Sequence, residues 1–149
     1  MYILKEQLNE SLRLSLVDYC YDIIGCIHST YKELSPGLPE AVFQESLLMA
    51  LHDAGYTDAV REYHHFPRFR GKTLSSHIQL DIMVPKKGRN IVIECKSIMK
   101  IGDKERIQLY GYLRATEFPI GILVNFGSFP KAEIGRYYYD SKSNVIKAF

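Results

Sequence analysis

Asp81, Glu94 and Lys96 are the residues of this chain whose types and spacing could do chemistry. Two carboxylates supply the hard oxygen ligands that a divalent cation takes, and an ammonium two residues beyond one of them could orient a water or stabilise charge developing on a phosphate. The alternative is a surface pair, with Glu94 and Lys96 at an exposed face or strand end contributing only ~0–1 kcal/mol. The choice depends on the elements that carry the three residues.

From His77 to Val84 the sequence alternates, with Ile78, Leu80, Ile82 and Val84 on one face and His77, Gln79, Asp81 and Met83 on the other. This predicts a strand whose aspartate points away from its apolar face. Pro85-Lys86-Lys87-Gly88-Arg89 interrupts it with a proline, a glycine and charges that favour solvent, and Asn90–Lys96 reads as a second strand, making a β-hairpin. In that second strand Val92, Glu94 and Lys96 share one face while Ile91, Ile93 and Cys95 share the other.

Around the hairpin, Leu12, Leu16, Tyr19, Ile23, Ile27, Tyr31 and Leu34 recur at threes and fours and predict a helix from about Leu8 to Leu34, stopped by Ser35-Pro36-Gly37. A second helix is expected from about Pro39 to Ala54, with Val42, Phe43, Leu47, Leu48 and Leu51 inward and Gly55 at its end. An edge strand around Ala59–Phe66 and a turn at Arg70-Gly71-Lys72 precede the hairpin. After it come a helix at Asp103–Thr116, a buried strand at Pro119–Phe126 and a tail, Glu133–Phe149, in which Tyr137, Tyr138 and Tyr139 would fall on both faces of a late strand. The pattern is that of an α/β fold with a mixed sheet between helices.

Gln108 and Tyr112 lie four apart on the later helix and so share one face. An amide and a phenol there could contact a phosphate or position the sheet lysine; otherwise Gln108 is solvated and Tyr112 half buried with its hydroxyl wet.

The 149 residues suit one domain, and 46% hydrophobic with 24% charged residues is ordinary for a soluble chain. A formal charge of +2 neither demands nor excludes a polyanionic partner. Cys20, Cys26 and Cys95 form no C-x-x-C pair, which argues against a disulfide framework or thiolate zinc and for the reduced cytoplasm. Residues 1–7 do not read as a leader, and no run reaches the ~18 apolar residues of a membrane span, so no membrane partner is expected. His28, His52, His64, His65 and His77 show no metal-ligand spacing and are read as structural or surface residues.

Several separated blocks resemble the bacterial GxxExxY proteins, a branch of the PD-(D/E)XK nuclease superfamily. They are Ile23-Ile24-Gly25-Cys26, Leu34 to Phe43 where that family has its namesake motif, Leu80-Asp81-Ile82, Ile93-Glu94-Cys95-Lys96, Gln108 to Leu113 and Gly121 to Phe126. The resemblance implies a restriction-endonuclease-like core of helix, three-stranded antiparallel meander, helix and strand (αβββαβ), here within one domain, 1–149, with an N-terminal helical extension over about 8–34. It implies Asp81 and Glu94 as Mg²⁺ (or Mn²⁺) ligands, with the backbone carbonyl of Cys95 completing the set, Lys96 as the catalytic lysine, Glu40 as an additional acid near the metal, and Gln108 with Tyr112 as a Q-x-x-x-Y element. Phe43 replaces the tyrosine of the family name, Gln44 stands where many relatives carry glutamate, Ser35 replaces a glycine and Pro39 directly precedes Glu40.

The function this implies is Mg²⁺-dependent hydrolysis of DNA phosphodiesters, in repair or defence, with a non-catalytic nucleic-acid or protein-binding module retaining the fold as the alternative. Hydrolysis of a non-nucleic phosphate is a third reading. Candidates for phosphate grip are Arg68, Arg70, Lys72, Lys100, Lys104, Arg106 and Arg114, each read first as an ordinary solvated surface charge that only clustering around Asp81 would promote.

Overall fold

A computed structural model of the protein describes residues 2–3 and 8–149; most of the stretch on which the leader reading rests lies outside the described residues. Along the chain run β1 (Tyr2–Ile3), α1 (Glu10–Glu33), α2 (Glu40–Asp53), β2 (Val60–His65), β3 (Arg68–Phe69), β4 (Lys72–Thr73), β5 (Ile78–Val84), β6 (Ile91–Lys96), α3 (Asp103–Thr116), β7 (Ile120–Asn125), β8 (Glu133–Asp140) and β9 (Val145–Ala148). Seven strands make one mixed sheet in the order β1-β9-β8-β7-β6-β5-β2, and β3 pairs with β4 separately. The β6–β7 pair is parallel, which requires a crossover, and α3 supplies it.

α1 starts at Asn9, whose side chain accepts from the amides of Ser11 (2.9 Å) and Leu12 (3.3 Å), donors that a first helical turn leaves free. Leu16, Cys20, Ile23 and Ile27 form its buried stripe. In α2 the stripe is Phe43, Leu47 and Leu51, and Phe43 stacks on Phe126 with ring centroids 4.6 Å apart. Val42, expected inward, is exposed, because one residue is about 100° around a helix and Phe43 takes the core position.

These two helices cover one face of the sheet over Ile82, Val84, Ile91, Ile93, Cys95, Ile122 and Val124. α3 covers the other, packing Leu109 and Leu113 with Leu80, Val92, Leu123, Tyr137 and Tyr139. β7 is buried along its whole length, as a strand covered on both faces must be. Gly121 lets α3 sit close, since a Cβ there would come 2.9 Å from the Leu113 side chain.

Two local expectations change. The tail is a hairpin, β8 and β9, rather than one strand, turned by Asp140, which accepts from the Lys142 amide (3.0 Å) and the Ser143 hydroxyl (2.9 Å). Lys86 is half-buried instead of solvated: its ammonium donates to the Tyr19 carbonyl and to the Tyr56 hydroxyl (3.1 Å), and Tyr19 in turn donates to the Lys86 carbonyl. The β5–β6 turn is thereby clasped onto α1.

The largest departure is in β5 itself. Its register against β2 pairs Arg61 with Ile82 and Tyr63 with Leu80, skipping Glu62 and Asp81. Against β6 the described pairing runs from Val84–Ile91 to Ile82–Ile93 and ends there. Ile82 packs with the α1/α2 layer, whereas Leu80, two residues earlier, packs with the α3 layer; Tyr63 follows Leu80, while Arg61 reaches Gln44 of α2. Alternation is therefore reversed across Glu62 and Asp81, and the single apolar face read over Ile78–Val84 does not exist. Glu62 makes the reversal at φ +53°, a left-handed conformation that costs an L residue roughly 1–2 kcal/mol.

Glu62→Gly should keep or raise stability, because glycine takes this conformation freely, while the β-branched Glu62→Val should lose about 1–2 kcal/mol in urea denaturation. Equal stabilities for the two variants would show that the reversal does not depend on position 62.

Candidate active site

Where β5 turns over, the Asp81 carboxylate enters the gap between β5 and β6. Its Oδ2 accepts from the Cys95 amide at 2.8 Å, and the Asp81 amide donates to Glu94 Oε1 at 3.1 Å. Each acid thus takes a backbone donor from the opposite strand, in place of ladder bonds that end at Ile82–Ile93. A strand residue presents its N–H and C=O to the same side. The Cys95 carbonyl therefore faces β5 with its amide, while the next carbonyl, that of Lys96, faces β7 and accepts from the Phe126 amide at 2.8 Å.

Burial sets the charge state. Glu94 is only 2% exposed, and neither it nor Asp81 is in a salt bridge; the ion pairs among the described residues are Arg13–Glu10 and Arg106–Asp103. Loss of solvent, and then the neighbouring Asp81, push Glu94 up to about 9. Burial raises Asp81 too, opposed by the Cys95 amide, its hydrogen bond with Glu94 and the charges of Lys96 and Arg61. Both carboxyls are thus harder to ionise here than in water. The Cys95 thiol, fully buried beside these acids, is held well above its ordinary range and stays protonated.

The other sequence candidates border this pair. Lys96 donates to Gln108 Oε1 at 2.8 Å. Tyr112, one turn further along α3, is half-buried, and its phenol is raised by burial and then by the charges of Glu94 and Asp81. Glu40, in the first turn of α2, is raised by burial and by Asp81, with Lys96 and the Ser97 amide opposing. Asp81, Glu94, Lys96, Glu40, Gln108 and Tyr112 thus surround one end of the β5–β6 pair. Among the described residues no three His, Cys, Asp or Glu side chains gather closely enough to hold a metal by themselves, so Glu40 stands outside the immediate pair.

Two carboxylates with the Cys95 carbonyl turned to the same β5 side nevertheless fit a hard divalent cation, which takes few protein oxygens and retains waters. Among the described residues no cation is ion-paired with these acids, and burial holds both carboxyls above their ordinary range, so a metal bound there would compete with protons for them.

Sequence reasoning did not find Arg61 or Asn125. Arg61 donates to Gln44 Oε1 (3.1 Å), and its buried Nε has no hydrogen-bond partner among the described residues. Gln44 is thereby engaged with the guanidinium. Asn125, fully buried, accepts from the amides of Ile98 and Gly127 (3.0 Å each) and donates to Glu133 (3.3 Å), tying down the loop after Lys96. A polar residue closing the apolar run of β7 was the available signal for Asn125; an arginine in an edge strand gives none.

Of the basic residues considered for phosphate grip, Arg106 is paired with Asp103 (2.8 Å), and Arg68, Arg70 and Lys72 lie exposed on the β3–β4 hairpin. Lys100, Lys104 and Arg114 are exposed. A concavity of ≈ 830 Å³ between α1 and α2, lined by Tyr21, Cys26 and Asp53, touches none of the site residues.

A family model described as the PD-(D/E)XK nuclease superfamily matches residues 17–137. Among solved structures, the crystal structure of SSO0001 is similar, with 24% identity over 84% of this chain and 69% of that one and a TM-score of 0.44. No curated protein matches. No described helix is long and apolar enough to cross a membrane.

A carboxyl that keeps its proton to about 9 when folded, against an ordinary 4.5, stabilises the fold most at the acid end of that window and loses the contribution as pH rises through it. Metal-free protein should therefore weaken steadily between those limits in chemical denaturation with chelator present, and Glu94→Gln should flatten the decline. An unchanged slope in the variant would remove Glu94 as the proton's holder.

Proposed function

The chain belongs to the PD-(D/E)XK nuclease superfamily, and from that premise we propose that it is a Mg²⁺- or Mn²⁺-dependent nuclease hydrolysing DNA phosphodiesters. The observation that carries this reading is the Asp81–Glu94 pair, Glu94 buried and Asp81 half-buried, with Lys96 two residues beyond Glu94 on the same strand and Gln108 holding its ammonium.

Asp81, Glu94 and the Cys95 carbonyl would hold the cation. When bound, it supplies Lewis acidity that makes water a better nucleophile and draws charge from the phosphoryl oxygens. Lys96, fixed by Gln108, places positive charge beside the phosphate, where it stabilises negative charge that grows towards the transition state. Tyr112 lies one helical turn beyond Gln108 on the same face of α3, near enough to the acids for their charges to raise its phenol. Glu40 faces Lys96 and Asp81 from α2 and offers an acceptor for a water proton. Arg61 places further positive charge near Asp81 from the edge strand.

The matched blocks support placing the chain with the GxxExxY branch of the superfamily. A shared sheet supports treating 1–149 as one domain with α1 as an N-terminal extension, and three buried free cysteines suit a reduced cytoplasm. A role in DNA repair or defence accords with such an activity.

The purified protein should cut single- or double-stranded DNA in Mg²⁺ or Mn²⁺ but not in chelator, and Asp81→Ala should abolish cutting. Cleavage that survives the substitution would come from a contaminant, and absence of both cleavage and calorimetric metal binding would contradict the assignment. Lys96→Ala should lower turnover by about 10²–10³-fold with metal affinity little changed; a loss of metal affinity instead would make Lys96 part of the cation's support.

A further inference from the structure

The segment joining β2 to β5, Phe66–His77, contains three basic residues, Arg68, Arg70 and Lys72, and no acidic one. It forms the β3–β4 hairpin, closed by Arg70 and Gly71 at φ +52° and +75°, the paired positive angles of a primed two-residue turn. Arg68 donates to the Gly71 carbonyl at 2.6 Å and the Leu74 amide to the Pro67 carbonyl at 2.9 Å, so the arm is held in one shape. Strands of two residues have no core to bury rings in. Phe69 is 59% exposed and Phe66 45%, with the Arg70 guanidinium 5.0 Å from the Phe69 centroid. At the root His77 stacks on His64 (4.2 Å) and meets Phe66 (5.5 Å), and the His65–Ile78 pair seats the arm on the sheet.

The arm's position gives this chemistry a use. β5 leaves the arm at Ile78 and reaches Asp81 three residues later, about 10 Å along a strand. β6 runs antiparallel to β5, so Lys96 also lies at this end of the sheet. A rigid, cationic hairpin with outward aromatic rings thus projects from the end that holds the site.

We propose that this arm binds single-stranded DNA, stacking an unpaired base on Phe69 while Arg68, Arg70 and Lys72 contact the flanking phosphates. The inference rests on the nuclease reading and assigns its substrate as a strand with unpaired bases. A duplex offers phosphates to the cations but keeps its base faces covered; only a single strand offers both the faces that exposed rings accept and the charge that the cations neutralise.

The test measures binding in chelator, apart from cleavage, with the full chain and fluorescein-labelled oligothymidylate, alone or annealed to oligoadenylate. Phe69→Ala should weaken single-strand binding about 5- to 100-fold, leave duplex binding unchanged, and be rescued by Phe69→Trp. Lys72→Ala should weaken both probes alike and reduce the salt dependence. Phe69 projects into solvent, so the melting transition should not move. Unchanged single-strand affinity in Phe69→Ala, an equal loss on duplex, or no single-strand binding by the parent chain would each overturn the proposal. Cleavage of the same probes in Mn²⁺ separates the two readings. A chain that binds through Phe69 but cuts nothing fails as a nuclease and keeps this arm; one that cuts duplex without regard to Phe69 does the reverse.

Discussion

The structure around the candidate site depends on one interruption of the sheet, the reversal of side-chain alternation at Glu62 and Asp81. A regular β5 would aim Asp81 into one of the two packed layers and leave the Cys95 amide to the β-ladder. With Glu62 at φ +53° the Asp81 carboxylate lies between strands and takes that amide itself, while Glu94 takes the Asp81 amide. A buried Glu94 and a half-buried Asp81 are thereby brought within reach of one another, and their backbone donors hold them there. Strain of this kind persists only where the surroundings over-determine it, and it commonly collects at functional positions.

Everything next to the pair follows from which strand edges remain free. Alternation of backbone groups along β6 sends the Lys96 carbonyl to β7 and the Cys95 groups to β5, so one residue completes the parallel pair while its neighbour faces the site. α3, needed to cross between β6 and β7, brings Gln108 to the lysine. α2, needed to cover the opposite layer, brings Glu40 and Gln44. The catalytic candidates come from four elements, yet each element is in place for reasons of packing.

Periodicity alone carried a large part of this fold. The β5–β6 hairpin, the limits of α3 at Asp103 and Thr116, the buried β7 and the edge position of β2 all follow from apolar spacing and turn residues. The juxtaposition of Asp81 with Glu94 was legible through strand pairing, but its geometry was not. Strict alternation set Asp81 beside Gln79 and Met83 on one face, because a glutamate in a left-handed conformation has no sequence signature and glycine would have been the only warning. Val42 and Lys86 were misplaced for simpler reasons, a one-residue rotation of α2 and two tyrosines that shelter an ammonium. Arg61 was missed because its role depends on Gln44 and Asp81, far apart in sequence and adjacent only after folding.

The central claim is that Asp81, Glu94 and the Cys95 carbonyl form the seat of one divalent cation. Anomalous diffraction at the manganese edge from crystals equilibrated with Mn²⁺ tests it most directly. The account predicts a strong peak coordinated by both carboxylates and that carbonyl. Absence of a peak at saturating Mn²⁺, or a peak elsewhere while Asp81 and Glu94 keep only their backbone partners, would contradict it.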